Sequence, residues 1–101
     1  MSDLVRPDLN NQEFQQQLFS LQADQTLAVI NAFKKISQLT WVQVYKDQGL
    51  RWEAIESRTR NNGTRLYSFR ITQKFRALAH RDGEWMRCVS LHPDHDSAYE
   101  N

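Results

Sequence analysis

The apolar residues in the first part of the chain recur at the three- and four-residue spacing of amphipathic helices. Phe14, Leu18 and Leu21 keep this spacing. They follow Asn10, which forms a capping-box pattern with Glu13 three residues later. The pattern predicts a helix that begins near Asn10 and turns one apolar face towards a core.

A second helix is predicted from about Asp24, because apolar residues again share one stripe: Leu27, Ile30, Phe33, Ile36 and Leu39. A short third helix is predicted after Thr40, which forms a cap pattern with Gln43, and Gly49 marks its end. The string "TWVQVY" also has the β-branched and aromatic composition of a strand, so both interpretations of this segment stay open.

The second half of the chain changes to a period of two, which is typical of strands. "LYSFRIT" and "KFRALAHR" alternate apolar and polar residues, and Asp82-Gly83 separates the latter from "EWMRCVSL". We therefore predict an α+β domain spanning residues 1–101. In it, N-terminal helices pack on one face of a small antiparallel sheet, and a short polar tail or helical turn follows.

The turns also predict how the strands pair. A two-residue Asp-Gly loop places Leu78 opposite Arg87 and Arg76 opposite Val89. A three-residue loop in the preceding hairpin places Arg70 opposite Arg76. The face towards the helices then collects the apolar side chains Tyr67, Phe69, Ile71, Phe75, Ala77, Ala79, Met86 and Cys88.

Three arginines, Arg70, Arg76 and Arg87, gather on the opposite face of the predicted sheet. Like charges that face each other across strands are destabilising, so the cluster requires an explanation. One interpretation pairs the arginines with Glu53, Glu56 or tail acids, or leaves them solvated. The other is a phosphate-binding platform, because guanidinium groups bind phosphate oxygens in a bidentate manner.

Composition and charge narrow the choice of function. The net charge is only +1, but residues 34–87 carry +7, while residues 1–33 and 88–101 each carry −3. A basic middle favours an anionic partner such as nucleic acid, although a solvated basic surface is an equal alternative. One cysteine, no signal-like N-terminus and no long apolar run predict a cytoplasmic protein without a membrane segment.

The polar stretch "HPDHDSAY" follows the last predicted strand. One helical turn there would place His95 and Tyr99 on the same side. A histidine exchanges protons near neutral pH and a tyrosine stacks on bases. With the arginines, these groups suffice to cleave RNA through its own 2′-hydroxyl without a metal.

Three other interpretations of the tail region compete with this one. A zinc site would use His92, Asp94, His95 and Asp96, but the sequence offers no second defined ligand pair. A cysteine nucleophile is disfavoured because Cys88 falls on the core face. The tail is otherwise an ordinary solvated segment.

The stretch "LYSFRITQKFRALAHRDGEWMRCVSLHPDHDSAY", with the preceding "GLRWEAI", resembles the C-terminal half of RelE/ParE-superfamily toxins of bacterial toxin–antitoxin pairs. The resemblance covers about residues 50–99. It implies a small antiparallel sheet with helices on one side and the active site on the other. It also implies an endoribonuclease that cleaves messenger RNA, usually on the ribosome, needs no cofactor and binds a cognate antitoxin.

The resemblance implies roles for four basic residues. Arg76 matches the second arginine of the "RITxxxR" pattern, which contacts the scissile phosphate in the YoeB-like branch, and Arg70 matches the first. Lys74 and Arg87 are further expected contacts to RNA phosphates.

The remaining expected catalytic residues also come from the resemblance. His95 and Tyr99 resemble the late histidine and aromatic residue that serve as acid and base-stacking group, and His92 is a rival acid. Glu56 or Glu53 corresponds to the carboxylate that some members use as a base.

Two departures from the family pattern qualify these expectations. Only "LVR" at positions 4–6 is available as the first strand with which the family usually opens. The tail also holds two histidines, His92 and His95, where one is typical. The ParE branch poisons DNA gyrase and generally lacks the His-Tyr pair, so the presence of that pair here favours RNA cleavage. The alternative function is a non-catalytic gyrase inhibitor, or an inactive RNA- or protein-binding module.

Overall fold

The computed structural model describes residues 3–59 and 63–93, with the backbone alone for residues 56–59. The elements are β1 (Arg6–Asp8), α1 (Gln12–Phe19), α2 (Ala23–Ile36), α3 (Trp41–Lys46), β2 (Glu53–Thr59), β3 (Arg65–Arg70), β4 (Arg76–Asp82) and β5 (Trp85–His92). The α+β expectation is confirmed. Within the described ranges, no helix has the length and apolar character needed to cross a membrane.

Side-chain caps determine where α1 and α3 begin. The cap of α1 is Asn11, one residue later than predicted, and its Oδ1 accepts the Phe14 N–H at 2.9 Å. At α3 the predicted pair is confirmed, since Thr40 and Gln43 each accept the other's backbone N–H. The segment "TWVQVY" is therefore helical, because a reciprocal cap satisfies two N–H groups that a strand would leave to other partners.

The apolar stripe predicted for α2 is wrong in its first half. Val29, Phe33 and Ile36 are buried, whereas Leu27 and Ile30 are 60% and 40% exposed. The buried residues keep a spacing of four and three, so they form one helical face by themselves. Only that face meets the sheet, and the adjacent apolar positions remain in solvent.

The sheet has the strand order β1-β5-β4-β3-β2. The antiparallel prediction holds for β2 to β5, but β1 runs parallel to β5, so the sheet is mixed. The first strand also lies later than the expected positions 4–6. Leu4 instead bridges Thr40, and the Val5 N–H donates to the Leu39 carbonyl at 2.8 Å. These contacts tie the N-terminal segment to the start of α3 and lead β1 onto the β5 edge.

The helices cover one face of the sheet, and aromatic rings fill the space between the layers. Phe33 meets Phe14 and Phe69 edge to face, with ring centroids 6.1 and 6.0 Å apart, and Trp52 stacks on Tyr67 at 4.8 Å. The predicted core face is confirmed, because each of its residues belongs to this core: Tyr67, Phe69, Ile71, Phe75, Ala77, Ala79, Met86 and Cys88.

The turn between β4 and β5 differs from the predicted one. Asp82 pairs with Trp85, so the two loop residues are Gly83 and Glu84 rather than Asp82 and Gly83. Gly83 has a φ of 63°, in the left-handed region that favours glycine. Between the turn and Ala79 the register consequently shifts by two residues. An even shift leaves the side chains there on their original face, which explains why Ala79, Met86 and Cys88 were predicted correctly on the core face from a wrong register.

A bulge in β5 alters the pairing again. Leu78 pairs with Ser90, and Arg76 pairs with His92 rather than with Val89 as predicted. A bulge inserts one extra residue into a strand and reverses the alternation beyond it. It therefore moves His92 onto the face that carries Arg76.

Candidate functional site

The face of the sheet away from the helices, called the outer face here, is more than a solvated basic surface. Because Ala77 and Ala79 point into the core, Arg76, Leu78 and His80 point outward from β4. Leu78 is fully buried on this face and packs with Ile55 and Val89 in a small separate cluster. Apolar packing thus divides the outer face into two polar ends.

At one polar end, Arg70, Arg76 and His92 lie directly opposite one another on β3, β4 and β5. We call these three residues the cationic row. Neighbouring strands are about 4.8 Å apart, so the row spans roughly 10 Å. The pairing of Arg70 with Arg76 confirms the predicted register of that hairpin, and the bulge adds His92.

Arg76 is unusually buried for an arginine, with only 6% of its surface exposed. Its Nη1 donates to the carbonyls of Thr72 and Gln73 at 3.1 and 2.8 Å, which fixes the β3–β4 loop. The N–H groups of Nε and Nη2 donate to no described residue and are available to other acceptors. Arg76 forms no ion pair with a carboxylate among the side chains described, those of residues 3–55 and 63–93.

Arg70 carries a donor that is both buried and unused. Its Nε has no hydrogen-bond partner among the described residues, a state shared by the indole nitrogens of Trp41 and Trp52 in the core. An orphan donor alone therefore does not identify a site. Arg70 differs because it is charged and faces a second arginine. The expected partner Glu53 is instead paired with Arg51 at 3.3 Å.

His92 is half-buried at the end of β5, where its Nε2 lies 2.8 Å from Ser90 Oγ. A hydrogen bond to one ring nitrogen orients the imidazole and influences which nitrogen carries the proton. His95 and Tyr99 lie outside the described residues, so their expected roles remain predictions. Within the described part, His92 is the histidine that joins the arginines.

Arg87 lies at the other polar end of the outer face. It is opposite His80 rather than Leu78, and it forms ion pairs with Asp8 and, at 2.9 Å, with Asp82. The prediction of its face was right, but its pairing was wrong because of the two-residue register shift. Two carboxylates compensate its charge, whereas Arg70 and Arg76 form no ion pair with the carboxylates that the structure describes.

The groups around Arg87 perturb one another's protonation. The Asn10 backbone N–H, followed by the hydrogen bond and charge of Arg87, holds the pKa of Asp8 below its usual value against the opposing effect of burial. Hydrogen bonds to Asp82 and then to Asp8 raise the pKa of Arg87. Burial raises the pKa of the Cys88 thiol, so this cysteine is a poor nucleophile, as the sequence indicated.

The other expected site residues are distributed as follows. Lys74 is exposed in the loop between β3 and β4, directly beside the cationic row. Glu56 lies in β2, but its side chain is outside the described part. Within residues 3–59 and 63–93 no cluster of three or more His, Cys, Asp or Glu side chains suits a metal ion. The zinc alternative involving His95 lies largely outside those ranges.

The cationic row combines one oriented imidazole with two guanidinium groups that form no ion pair with a described carboxylate. Guanidinium groups bind phosphate oxygens, and an imidazole donates or accepts a proton near neutral pH. Sequence reasoning missed the position of His92 and its contact with Ser90. Nothing in "CVSLH" marks the bulge, so only the three-dimensional packing reveals it.

Comparison with known proteins gives no relative: no family model, curated protein or solved structure matches the chain. The geometry of the outer face therefore carries the functional argument.

Proposed function

We propose that this protein is a RelE-like endoribonuclease, the toxin of a toxin–antitoxin pair, which cleaves messenger RNA without a metal and so inhibits translation. The observation that supports it is the cationic row, in which Arg70 and Arg76 face each other without a described carboxylate and His92 stands beside them. The repulsion between the two arginines destabilises the folded protein, and the negative charge of a bound phosphodiester offsets that repulsion.

In this proposal the two arginines bind the scissile phosphate. The Nε and Nη2 groups of Arg76 and the half-buried guanidinium of Arg70 opposite it are donors for the non-bridging oxygens of this phosphate. Their charge stabilises the extra negative charge of the phosphorane formed when the 2′-oxygen attacks. Lys74, in the adjoining loop, contacts a neighbouring phosphate, and Arg87, further along the outer face and paired with Asp8 and Asp82, contacts another part of the RNA.

The proton transfers complete the reaction. A base removes the proton of the 2′-hydroxyl, the 2′-oxygen attacks phosphorus, and the bond to the 5′-oxygen breaks as an acid protonates it. His92 is the described candidate for the acid, and His95 is its rival. Glu56 is the candidate base, and Tyr99 stacks on a neighbouring RNA base.

The proposed partners follow from the same surface. The net charge of +7 over residues 34–87 favours association with ribosome-bound messenger RNA. A cognate antitoxin that covers the outer face would neutralise the arginines and block access to RNA. This activity places the protein in the cytoplasm.

Induced expression followed by mapping of messenger 5′ ends tests the proposal. The wild type is expected to stop growth and generate new ends, and purified protein should leave 5′-hydroxyl ends in the presence of EDTA. Arg70→Ala and His92→Ala should lower cleavage by about a hundredfold or more. The exposed-helix variant Asn31→Ala is the matched control and should cleave normally.

A comparison of His95→Ala with His92→Ala identifies the acid, which is the histidine whose replacement lowers cleavage more. Wild-type expression that leaves growth unimpaired and creates no new messenger ends would refute the ribonuclease proposal.

A second candidate is a non-catalytic binder, either a ParE-like gyrase inhibitor or an inactive RNA- or protein-binding module. One observation favours it: Nη1 of Arg76 already bonds to Thr72 and Gln73, as expected of a structural arginine. Trapped gyrase–DNA complexes, or toxicity that survives the loss of both His92 and His95, would support this candidate.

A further inference from the structure

A cleft of about 240 Å³ opens at the second polar end of the outer face, close to the β4–β5 turn. It lies where the chain passes from β1 into α1, and the residues that line it include Asp8, Asn10, Asn11, His80, Arg87 and Val89. None of the roles proposed above uses this cleft as a pocket.

The cleft presents hydrogen-bond donors that are held in place. Arg87 uses Nε for Asp82 and Nη1 for Asp8, so the two carboxylates orient the guanidinium and leave the N–H groups of Nη2 for a ligand. Asn11 uses Oδ1 to cap α1, which leaves its NH₂ group. The donors of Arg87 and Asn11, fixed in this way, lose little freedom on binding. The side chain of exposed Asn10 makes no hydrogen bond to the described residues, so its amide can turn towards a ligand.

The charge of the cleft differs from that of the cationic row. Asp8 and Asp82 offset the charge of Arg87, so the cleft suits a neutral group rather than a phosphate. The half-buried ring of His80 and the half-buried Val89 add flat and apolar surface. A volume of about 240 Å³ is smaller than the 300–1,000 Å³ typical of pockets for drug-sized ligands. It matches one planar heterocycle.

The cleft and the cationic row both lie on the outer face and are separated along the direction of β4. His80 follows Arg76 by four residues on β4, and both point outward, so they are about 13 Å apart. Stacked nucleotides advance about 3.4 Å each and unstacked ones more, so a few nucleotides span this distance. Between the two ends lies the apolar cluster of Leu78, Ile55 and Val89.

We propose that this cleft binds a single nucleobase of the RNA strand whose phosphate occupies the cationic row. The inference rests on the proposed function and adds a specificity subsite to it. The groups left on Arg87 and Asn11 are donors, and the NH₂ of Asn10 can donate beside them, so together they match a base edge with adjacent acceptors. Guanine offers two adjacent acceptors, O6 and N7. Adenine has the acceptor N7 beside its N6 amino group, which is a donor. The cleft therefore prefers guanine.

Binding of short 2′-O-methyl oligouridines that contain one guanine, adenine or 7-deazaguanine tests the subsite. These probes lack a free 2′-hydroxyl and cannot be cleaved, so binding is measured apart from catalysis. The wild type should bind the guanine probe about tenfold more tightly than the other two. Asn10→Ala and His80→Ala should lose this preference but keep the salt-dependent affinity, and Asn31→Ala should keep both.

The outcomes separate the subsite from the proposed function. Arg70→Ala should weaken all three probes alike while preserving the guanine preference. Equal wild-type affinity for the three probes would overturn the subsite and leave the phosphate site standing, as would a preference that persists in Asn10→Ala. If no probe binds the wild type, the proposed function and the subsite both fail. Urea unfolding of His80→Ala checks its fold, and exposed Asn10 provides the variant with least structural risk.

Discussion

Replacing Arg70 by methionine should stabilise the protein while weakening its binding to RNA. Arg70 lies opposite Arg76, and its buried Nε has no partner among the described residues. Functional sites commonly carry such a cost, because evolution retains a group that binds a ligand even where it destabilises the fold. Methionine keeps the unbranched apolar stem and removes both the charge and the orphan donor.

The magnitude follows from these two contributions. Like charges opposite each other across strands cost about 0.2–1 kcal/mol. A buried unsatisfied donor costs about 1–3 kcal/mol, part of which the partly exposed guanidinium recovers by contact with water. We therefore expect Arg70→Met to raise the free energy of unfolding by about 1 kcal/mol. For a domain of this size, the melting temperature should rise by about 4 °C or more.

The assay is urea unfolding followed by tryptophan fluorescence, since Trp41 and Trp52 are buried in the native core. The gain should shrink at about 1 M salt, where the Debye length falls to about 3 Å and the repulsion is screened. Arg65→Met is the matched control, because Arg65 is an exposed arginine on the same strand. It should change the free energy of unfolding by less than about 0.5 kcal/mol.

One result would refute this reasoning. If Arg70→Met destabilises the fold by about 1 kcal/mol or more while Arg65→Met is neutral, Arg70 is a structural residue. The main support for phosphate binding at the outer face would then be lost.

The remaining predictions concern the core and the pH dependence of stability. Phe69 is fully buried against Phe33 and Trp52, so Phe69→Ala should lower the free energy of unfolding by about 3–5 kcal/mol in urea titration; a cost below about 1 kcal/mol would contradict this packing. The folded-state pKa of Asp8 is lowered, so its charged form contributes stability above the unfolded pKa of about 4, and this contribution is lost as the pH falls through the folded pKa. Asp8→Asn should therefore cost about 1 kcal/mol at pH 7, and the difference from wild type should shrink below about pH 4. A difference that does not depend on pH would show that neither the Asn10 N–H nor the Arg87 ion pair stabilises the charged form of Asp8.

Local sequence signals predicted much of the fold. The cap pairs near Asn11 and at Thr40 placed two helix starts to within one residue, because capping depends on neighbours three positions apart. The period of two identified the core face of the sheet, and it survived a register error because the error was even. The opposition of Arg70 and Arg76 was likewise predictable, since a short loop connects them.

The sequence did not predict features that depend on contacts between segments far apart in the chain. The stripe of α2 that faces the core depends on where the sheet meets the helix, so the exposure of Leu27 and Ile30 was not predictable. The parallel β1 strand and the ion pair between Asp8 and Arg87 join residues nearly eighty positions apart in the chain. No short-range pattern encodes such a contact.

In the candidate site, the alternation of β3 and β4 is enough to predict that Arg70 and Arg76 lie on the same side of the sheet. The histidine that joins them could not be predicted in this way. The bulge in β5 reverses the alternation before His92 and brings it opposite Arg76. A bulge depends on how one strand pairs with its neighbour, so the sequence of β5 alone does not reveal it.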